Sequence, residues 1–324
     1  ADEITAGDIG AFAKLGAVAT GDVLSVSGKI TAPPIEMPPA EYAMAIGSAK
    51  KGDEDKVFAG LKKLQEEDTS FRIEKNPETI SKHYYGQTQL SVLCRKLKNK
   101  FGCDAVLSEP KVAYRETVRK CAEGEGKHKK QSGGAGQYGH CKVRFEPGAE
   151  NGEYEFVDAV VGGVVPRQFI PAVDKGLKEA IKEGVLAGYP VVNLKCTLFD
   201  GSYHPVDSKE VAFVSAARLA YLDGMKKASP CILEPVMKME ITVPDNYLGD
   251  VMGDMNKRRG RILGTDTSDG KAVVTAEAPQ AEILKYATDL RSMTQGRGSY
   301  TTEFSRYEEV PAALQDKIIA DAKK

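Results

Sequence analysis

The sequence predicts an α+β chain of several domains, elongated, in which two ferredoxin-like split βαβ units flank a different, mixed α/β middle. Two observations carry this. The order strand, helix, strand, strand, helix, strand is legible from about residue 34 to 109, and it recurs from about 230 to 308. A third is length, since 324 residues suffice for two or three domains with real cores.

The elements follow in chain order. Residues 1–31 hold two short strand-like runs, around Asp8 to Phe12 and Val23 to Val26, ending before Pro33-Pro34. Two short strands cannot bury a core alone, so this segment needs a partner or is a β remnant of another domain. Val57, Leu61 and Leu64 fall at helical spacing. Phe71 to Glu74 alternates, Asn76-Pro77 turns, and Ile80 to Tyr84 returns as a strand. Leu90, Leu93, Leu97 and Phe101 mark a second helix, closed by Gly102. In the middle, strands are expected around residues 112–119, 141–145 and 153–160, then a helix near 169–181. Val192, Leu194, Cys196 and Leu198 alternate with polar residues as a half-buried strand. Asp207 and Glu210 resemble a capping box opening a helix with Val211, Ser215 and Leu219 along it. The second ferredoxin-like unit has a strand from Val236 to Val243, helical Leu248, Met252 and Met255, and strands from Arg261 and Lys271. Leu284, Ala287 and Leu290 mark its second helix, residues 299–307 its last strand, and a polar helix ends the chain. The expected division is 1–33, 34–109, 110–229 and 230–324.

Composition excludes several classes. With 45 Lys+Arg against 46 Asp+Glu the chain is not a polycation, although a local basic face remains open. A hydrophobic fraction of 41% argues against wholesale disorder. No apolar run approaches the ~20 residues of a membrane span, and the first residues lack the pattern of an export signal, so a cytoplasmic protein is expected. Six cysteines without a C-x-x-C favour buried thiols in a reducing compartment. Cys121, His128, His140 and Cys141 are zinc-ligand types, but adjacent His140 and Cys141 would point to opposite faces of a strand, so no metal is expected.

Three strings could carry chemistry. Gly134-Ala135-Gly136-Gln137-Tyr138-Gly139 is a literal G-x-G-x-x-G, yet strand-like residues follow where a dinucleotide fold needs a helix. It reads instead as a glycine loop whose amides, with Lys127, His128, Lys129 and Lys130 beside it, suit a phosphate backbone. A solvated hairpin with incidental lysines is the alternative. No P-loop occurs, so no nucleoside triphosphate site is expected here. The second string, residues 200–207, places Tyr203 and His204 between a strand and a helix. If both loops share one end of the domain they offer tyrosine, histidine, glutamine and amides to RNA; otherwise His204 is a surface residue. The third, Lys257-Arg258-Arg259-Gly260-Arg261, either complements a helix C-terminus or binds phosphates.

These strings together resemble bacterial elongation factor G, the translocation GTPase. The resemblance is carried by residues 112–117 (VAYRET), 131–134 (QSGG), 136–140 (GQYGH), 161–166 (VGGVVP) and 186–190 (LAGYP). Residues 200–204 (DGSYH), 233–235 (LEP), 258–261 (RRGR) and 294–298 (TQGRG) extend it over nearly the whole chain. It implies the end of β-barrel domain II at 1–33, then domains III, IV and V. It also implies a noncatalytic arm of a ribosomal translocase, promoting GTP-dependent movement of tRNA and mRNA. GTP and magnesium would sit only on a GTPase domain outside these residues, and the arm itself would need no cofactor. By that likeness Gln131, Ser132, Gly133, Gly134, Gly136, Gln137, Tyr138 and Gly139, with Gly201, Ser202, Tyr203 and His204, form a tip facing tRNA and mRNA. Lys127, Lys129, Lys130, Lys257, Arg258, Arg259 and Arg261 would meet rRNA, and the protein would act as a monomer on the ribosome. One departure concerns coupling to the GTPase. Residues 84–90 read YYGQTQL where the family has GMGELHL, so Gln87 and Gln89 replace an acid and a histidine. This fits a paralogue with altered coupling or one devoted to ribosome recycling. A general RNA-binding protein of ferredoxin-like units is the remaining alternative.

Overall fold

A computed structural model describes residues 3–13, 15–33, 42–73, 81–84, 87–131, 136–149, 152 and 154–322, with only the backbone described at 81–84 and 87–88. The chain forms two compact units, residues 1–111 with 284–301, and residues 112–283 with 302–324.

In the first unit, β1 (Tyr42–Ser48) is the centre of a three-stranded sheet, paired antiparallel with β2 (Ser81–Tyr84) and β3 (Ala105–Ser108). Helices α1 (Glu54–Glu67) and α2 (Gln87–Phe101) supply Val57, Leu61, Leu64, Leu90, Leu93 and Leu97 to a core with Ile46 and Phe71. These are the leucines whose spacing predicts the two helices. The strand expected at 71–74 is not formed: residues 71–73 are in no strand, and 74–80, including Ile80, lie outside the described residues. Phe71 is nonetheless buried, acting as a core plug. The strand-like runs near Asp8 and Val23 also form no strand, and Ile9, Phe12, Leu24 and Val26 are exposed. Without neighbours to complete a sheet, such runs have no ladder to join. Helix α7 (Tyr286–Thr294) belongs to this unit as well, and ends at Gln295 in the left-handed conformation.

The second unit holds two sheets. One has the order β10-β11-β9-β12, formed by β9 (Pro230–Pro244), β10 (Arg261–Ser268), β11 (Lys271–Pro279) and β12 (Ser299–Glu309). That is the ferredoxin-like order the sequence predicts, with the short helices α5 (Leu248–Lys257) and α6 (Gln280–Ile283) within it and α8 (Ala312–Ala322) following. β4 (Arg115–Val118) joins this sheet by pairing with residues 230–233 of β9.

The other sheet has the order β5-β6-β8-β7, formed by β5 (Ala122–Lys130), β6 (Gln137–Pro147), β7 (Tyr154–Asp158) and β8 (Leu194–Ser202). Helices α3 (Ile170–Ala180) and α4 (Glu210–Lys227) cover one face. Phe169 and Phe213 stack there with centroids 4.8 Å apart. Three sequence expectations change. Residues 127–130, read as a loop flank, are the end of strand β5. Its helix-facing positions, Gly124 and Gly126, are glycines, so no apolar alternation marks it. Helix α4 starts after Lys209 with no side-chain cap, so the Asp207–Glu210 capping box does not form. The face of α4 is also inverted. Val211 (64% exposed) and Leu219 (42%) point to solvent, while Ala212, Ala216, Ala220 and Gly224 are buried.

That small-residue ridge, repeating every four residues, meets Gly139, Gly126 and Gly124 of the sheet. A Cβ on any of the three would overlap backbone atoms of α4, so strand and helix backbones touch directly. Gly126→Ala is therefore expected to destabilise the chain by about 3 kcal/mol, the upper end for overpacking because the obstacle is backbone rather than a flexible side chain. Urea denaturation checks this, and an unchanged midpoint would contradict the close approach.

Candidate nucleic-acid interface

The β5–β6 pairing runs from Ala122↔Phe145 to Lys130↔Gln137, so Gln131 and Gly136 lie at that end of the sheet. β8 runs antiparallel to β6 and reaches the same end, with His140 opposite Ser202. A one-residue bulge opposite the Lys142–Val143 step, at Phe199, matters here. Upstream of it Leu194, Cys196 and Leu198 face the core; beyond it Asp200 and Ser202 face outward and Gly201 inward. The register thus carries Ser202 to the outer face beside His140.

The two loops are strapped together by hydrogen bonds. The Tyr138 N–H donates to the Asp207 carbonyl (2.9 Å), and the Ser208 hydroxyl donates to the Tyr138 carbonyl (3.0 Å). The His204 N–H donates to Ser208 Oγ (2.9 Å). Gly136 is buried with the Asp207 carboxylate where a Cβ would stand, 2.8 Å from its Cγ. The structure therefore brings Gly136, Gln137, Tyr138 and Gly139 to Gly201, Ser202, Tyr203 and His204. Gln131 is exposed at the loop's start; Ser132, Gly133 and Gly134 lie outside the described residues.

His204 is half-exposed, its side chain 53% accessible. Its Nδ1 accepts the N–H groups of Asp207 (3.2 Å) and Val206 (3.4 Å). The Asp207 carboxylate lies 3.4 Å from the same nitrogen. The Tyr138 ring lies beside it, centroids 6.5 Å apart, and Lys127 Nζ stands 5.9 Å from the Tyr138 centroid. On the outer face of β5, Glu123 pairs with Arg144 and Glu125 with His140, whereas Lys127 and Lys129 on that face, and Lys130 at the strand's end, have no carboxylate partner among the described residues. Acidic groups on this strand are partnered away from the loops, and the lysines beside the loops have no carboxylate partner among the described residues.

Sequence reasoning passed over two features. Glu125, His140 and Ser202 form a hydrogen-bonded row across three strands, at 2.8 and 2.7 Å, and Tyr138 extends it at 2.8 Å. No apolar pattern announces such a row; only the register creates it. The residues after β7 are the second. β7 is parallel to β8, and Val165 packs against Gly201, so residues 159–167 also reach this end, with Arg167 exposed and unpaired among the described residues.

The basic string after α5 behaves differently. Arg259 adopts a left-handed φ of 56° and forks onto buried Glu234 at 2.7 and 2.8 Å, with Glu282 at 3.0 Å. The paired carboxylates hold its guanidinium above the usual arginine range. Arg258 pairs with Asp254 (2.7 Å) and the Glu282 carbonyl, and Arg261 with Glu308 (3.2 Å). Only Lys257 stays exposed and unpaired among the described residues. Arg258 and Arg259 thus serve first as internal fasteners.

In the first unit, Gln89 donates to Ser70 Oγ (2.7 Å), which donates to Asp68 (2.5 Å). The Ser70 hydrogen bond holds the Asp68 carboxyl below its usual range. Gln87 begins α2, its side chain outside the described residues. His140 and Cys141 do point to opposite faces, and no group of three or more His, Cys, Asp or Glu placed to hold a metal occurs among the described residues. Nor do they contain a helix long and apolar enough to cross a membrane.

A multidomain α+β chain with paired tip loops is the class these features define. Sequence comparison then matches residues 37–109 to elongation factor G domain III, 110–229 to elongation factor G domain IV, and 231–318 to the elongation factor G C-terminus. Among solved structures, a protein from Thermus thermophilus is similar at 40% identity and a TM-score of 0.81, covering 94% of this chain and 45% of that one. The chain belongs to the elongation factor G family, a family of translation elongation factors, and spans less than half the length of that structural relative.

Two outcomes follow from the site. Glu234→Ala, which leaves Arg259 without its main partner in a partly buried place, is expected to destabilise by about 3 kcal/mol. Lys257→Ala should stay within about 0.5 kcal/mol of the parent in the same denaturation assay; equal effects would contradict the internal role of Arg259. Burial pushes the Cys141 thiol up to about 12 and raises Cys196 further, whereas Cys121 is exposed. Iodoacetamide at pH 8 should therefore label Cys121 in the native chain and spare Cys141 and Cys196 until urea is added, as read by peptide mass spectrometry.

Proposed function

We propose that this chain is the RNA-contacting arm of a ribosomal translocase, corresponding to domains III, IV and V at 34–109, 110–229 and 230–324, with 1–33 as the end of domain II. The observation that carries the reading is the convergence of residues 136–139 and 201–208 at one end of a sheet, flanked by three lysines without a carboxylate partner among the described residues. Phosphates meet Lys127, Lys129 and Lys130, while Tyr138, Tyr203 and His204 present rings and polar edges to nucleotides. The sheet and its glycine–alanine seam make the tip stiff enough to occupy space and so bias tRNA and mRNA movement in one direction. GTP and magnesium belong, in this reading, to a GTPase domain of the complete protein, which supplies free energy and timing. The arm acts as a monomer in the cytoplasm, touching rRNA of both subunits; on the domain V side, Lys257 and Arg261 are the cations best placed to reach phosphate.

The internal engagement of Gln89 with Ser70 favours a second reading, in which the complete protein is a paralogue with altered GTPase coupling or a role in ribosome recycling. A neutral amide tied within its own unit carries no charge to a nucleotide switch.

In the complete protein, His204→Ala should slow translocation at least about tenfold while leaving ribosome-stimulated GTP hydrolysis near the parent rate, measured by stopped-flow fluorescence and phosphate release. Equal loss of both would contradict a tip role. Replacing Lys127, Lys129 and Lys130 together by alanine should flatten the dependence of log affinity on log salt by about 2 to 3, the number of phosphate contacts removed.

A further inference from the structure

The row Glu125–His140–Ser202–Tyr138 has a direction. Glu125 Oε1 lies 2.8 Å from His140 Nε2, and a carboxylate accepts, so Nε2 carries the proton. In the neutral imidazole Nδ1 is then a lone pair, and Ser202 Oγ, 2.7 Å away, donates to it. An imidazolium at His140 would reverse the row, so this direction is that of the neutral ring. With its only proton spent, Ser202 Oγ accepts from the Tyr138 hydroxyl at 2.8 Å. The Tyr138 proton is therefore held inward along the sheet, and what its oxygen offers outward is lone pairs.

We infer that the Glu125–His140–Ser202 row sets Tyr138 as a hydrogen-bond acceptor at the tip, so the group it meets on RNA is a donor, the ribose 2′-hydroxyl. This rests on the RNA-contacting role proposed for the tip and narrows it. A phosphate oxygen accepts only and is a poor partner for such an oxygen; the 2′-hydroxyl donates and accepts, and it is the group that separates RNA from DNA. His204 complements it. Its Nδ1 accepts backbone N–H groups, which leaves Nε2–H as the ring's donor beside Tyr138. An acceptor and a donor side by side match a hydroxyl that is both. The free lysines supply affinity without distinguishing the two sugars. Glu125, His140 and Ser202 are positioning residues here, acting through Tyr138.

The test is fluorescence anisotropy of the 324-residue chain with a fluorescein-labelled RNA hairpin and the DNA hairpin of the same sequence, at one salt concentration. The parent should prefer RNA by about fivefold, the worth of one hydrogen bond. Tyr138→Phe and Ser202→Ala should bring that ratio close to one, and Ser202→Thr, which keeps the hydroxyl, should retain it. Lys129→Ala should weaken both hairpins alike. Equal affinity of the parent for both hairpins, or a Tyr138→Phe loss shared equally by RNA and DNA, overturns the acceptor assignment and leaves an RNA-facing tip standing. Binding to neither hairpin counts against the RNA reading itself and takes this inference with it.

Discussion

Backbone-to-backbone contact between α4 and the β5–β6 hairpin governs the geometry of the tip. Gly124, Gly126 and Gly139 lie where any side chain would strike Ala212, Ala216, Ala220 or their neighbours, so the helix can settle at one depth and one rotation only. Its start, and with it the 203–209 connection, is thereby fixed against Tyr138. Were the seam built of leucines, the helix would stand farther off and the straps from Asp207 and Ser208 could not reach β6. Stiffness follows from the same source, because glycine and alanine have no side-chain rotamers to exchange and the backbones are in direct contact.

Charge is divided by place. Arg259 forks onto Glu234 and Arg258 pairs with Asp254, so planar, always-charged guanidinium groups hold a helix end and a left-handed turn. Lys127, Lys129 and Lys130, near the loops, have no carboxylate partner among the described residues, and flexible ammonium groups there can follow a phosphate backbone. The near-zero net charge of the chain conceals this division, since paired and free cations count the same in a sum.

Much of the fold was legible from residue pattern. The leucines of α1 and α2, the alternation in β8 and the ferredoxin-like order of β9 to β12 all reflect burial of large side chains, which leaves a periodic trace. The failures share the opposite cause. β5 buries glycines, and α4 buries alanines while exposing Val211 and Leu219, so apolar size points the wrong way. The bulge at Phe199, which turns Ser202 outward, has no signature in composition. Asp207 looked like a helix cap but lies against Gly136 and His204 instead. For the site, the two loops could be named from the sequence. Their meeting could not, because it depends on strand direction and register; nor could the parts played by Glu125 and His140.

Hydrogen–deuterium exchange of the chain with and without small ribosomal subunits addresses the central claim, that both loops form one nucleic-acid-facing surface. The account predicts that peptides covering 127–140 and 201–208 gain protection together, while the 182–190 segment at the far end of α3 does not change. Protection of one loop without the other, or of 182–190 in their place, would contradict it.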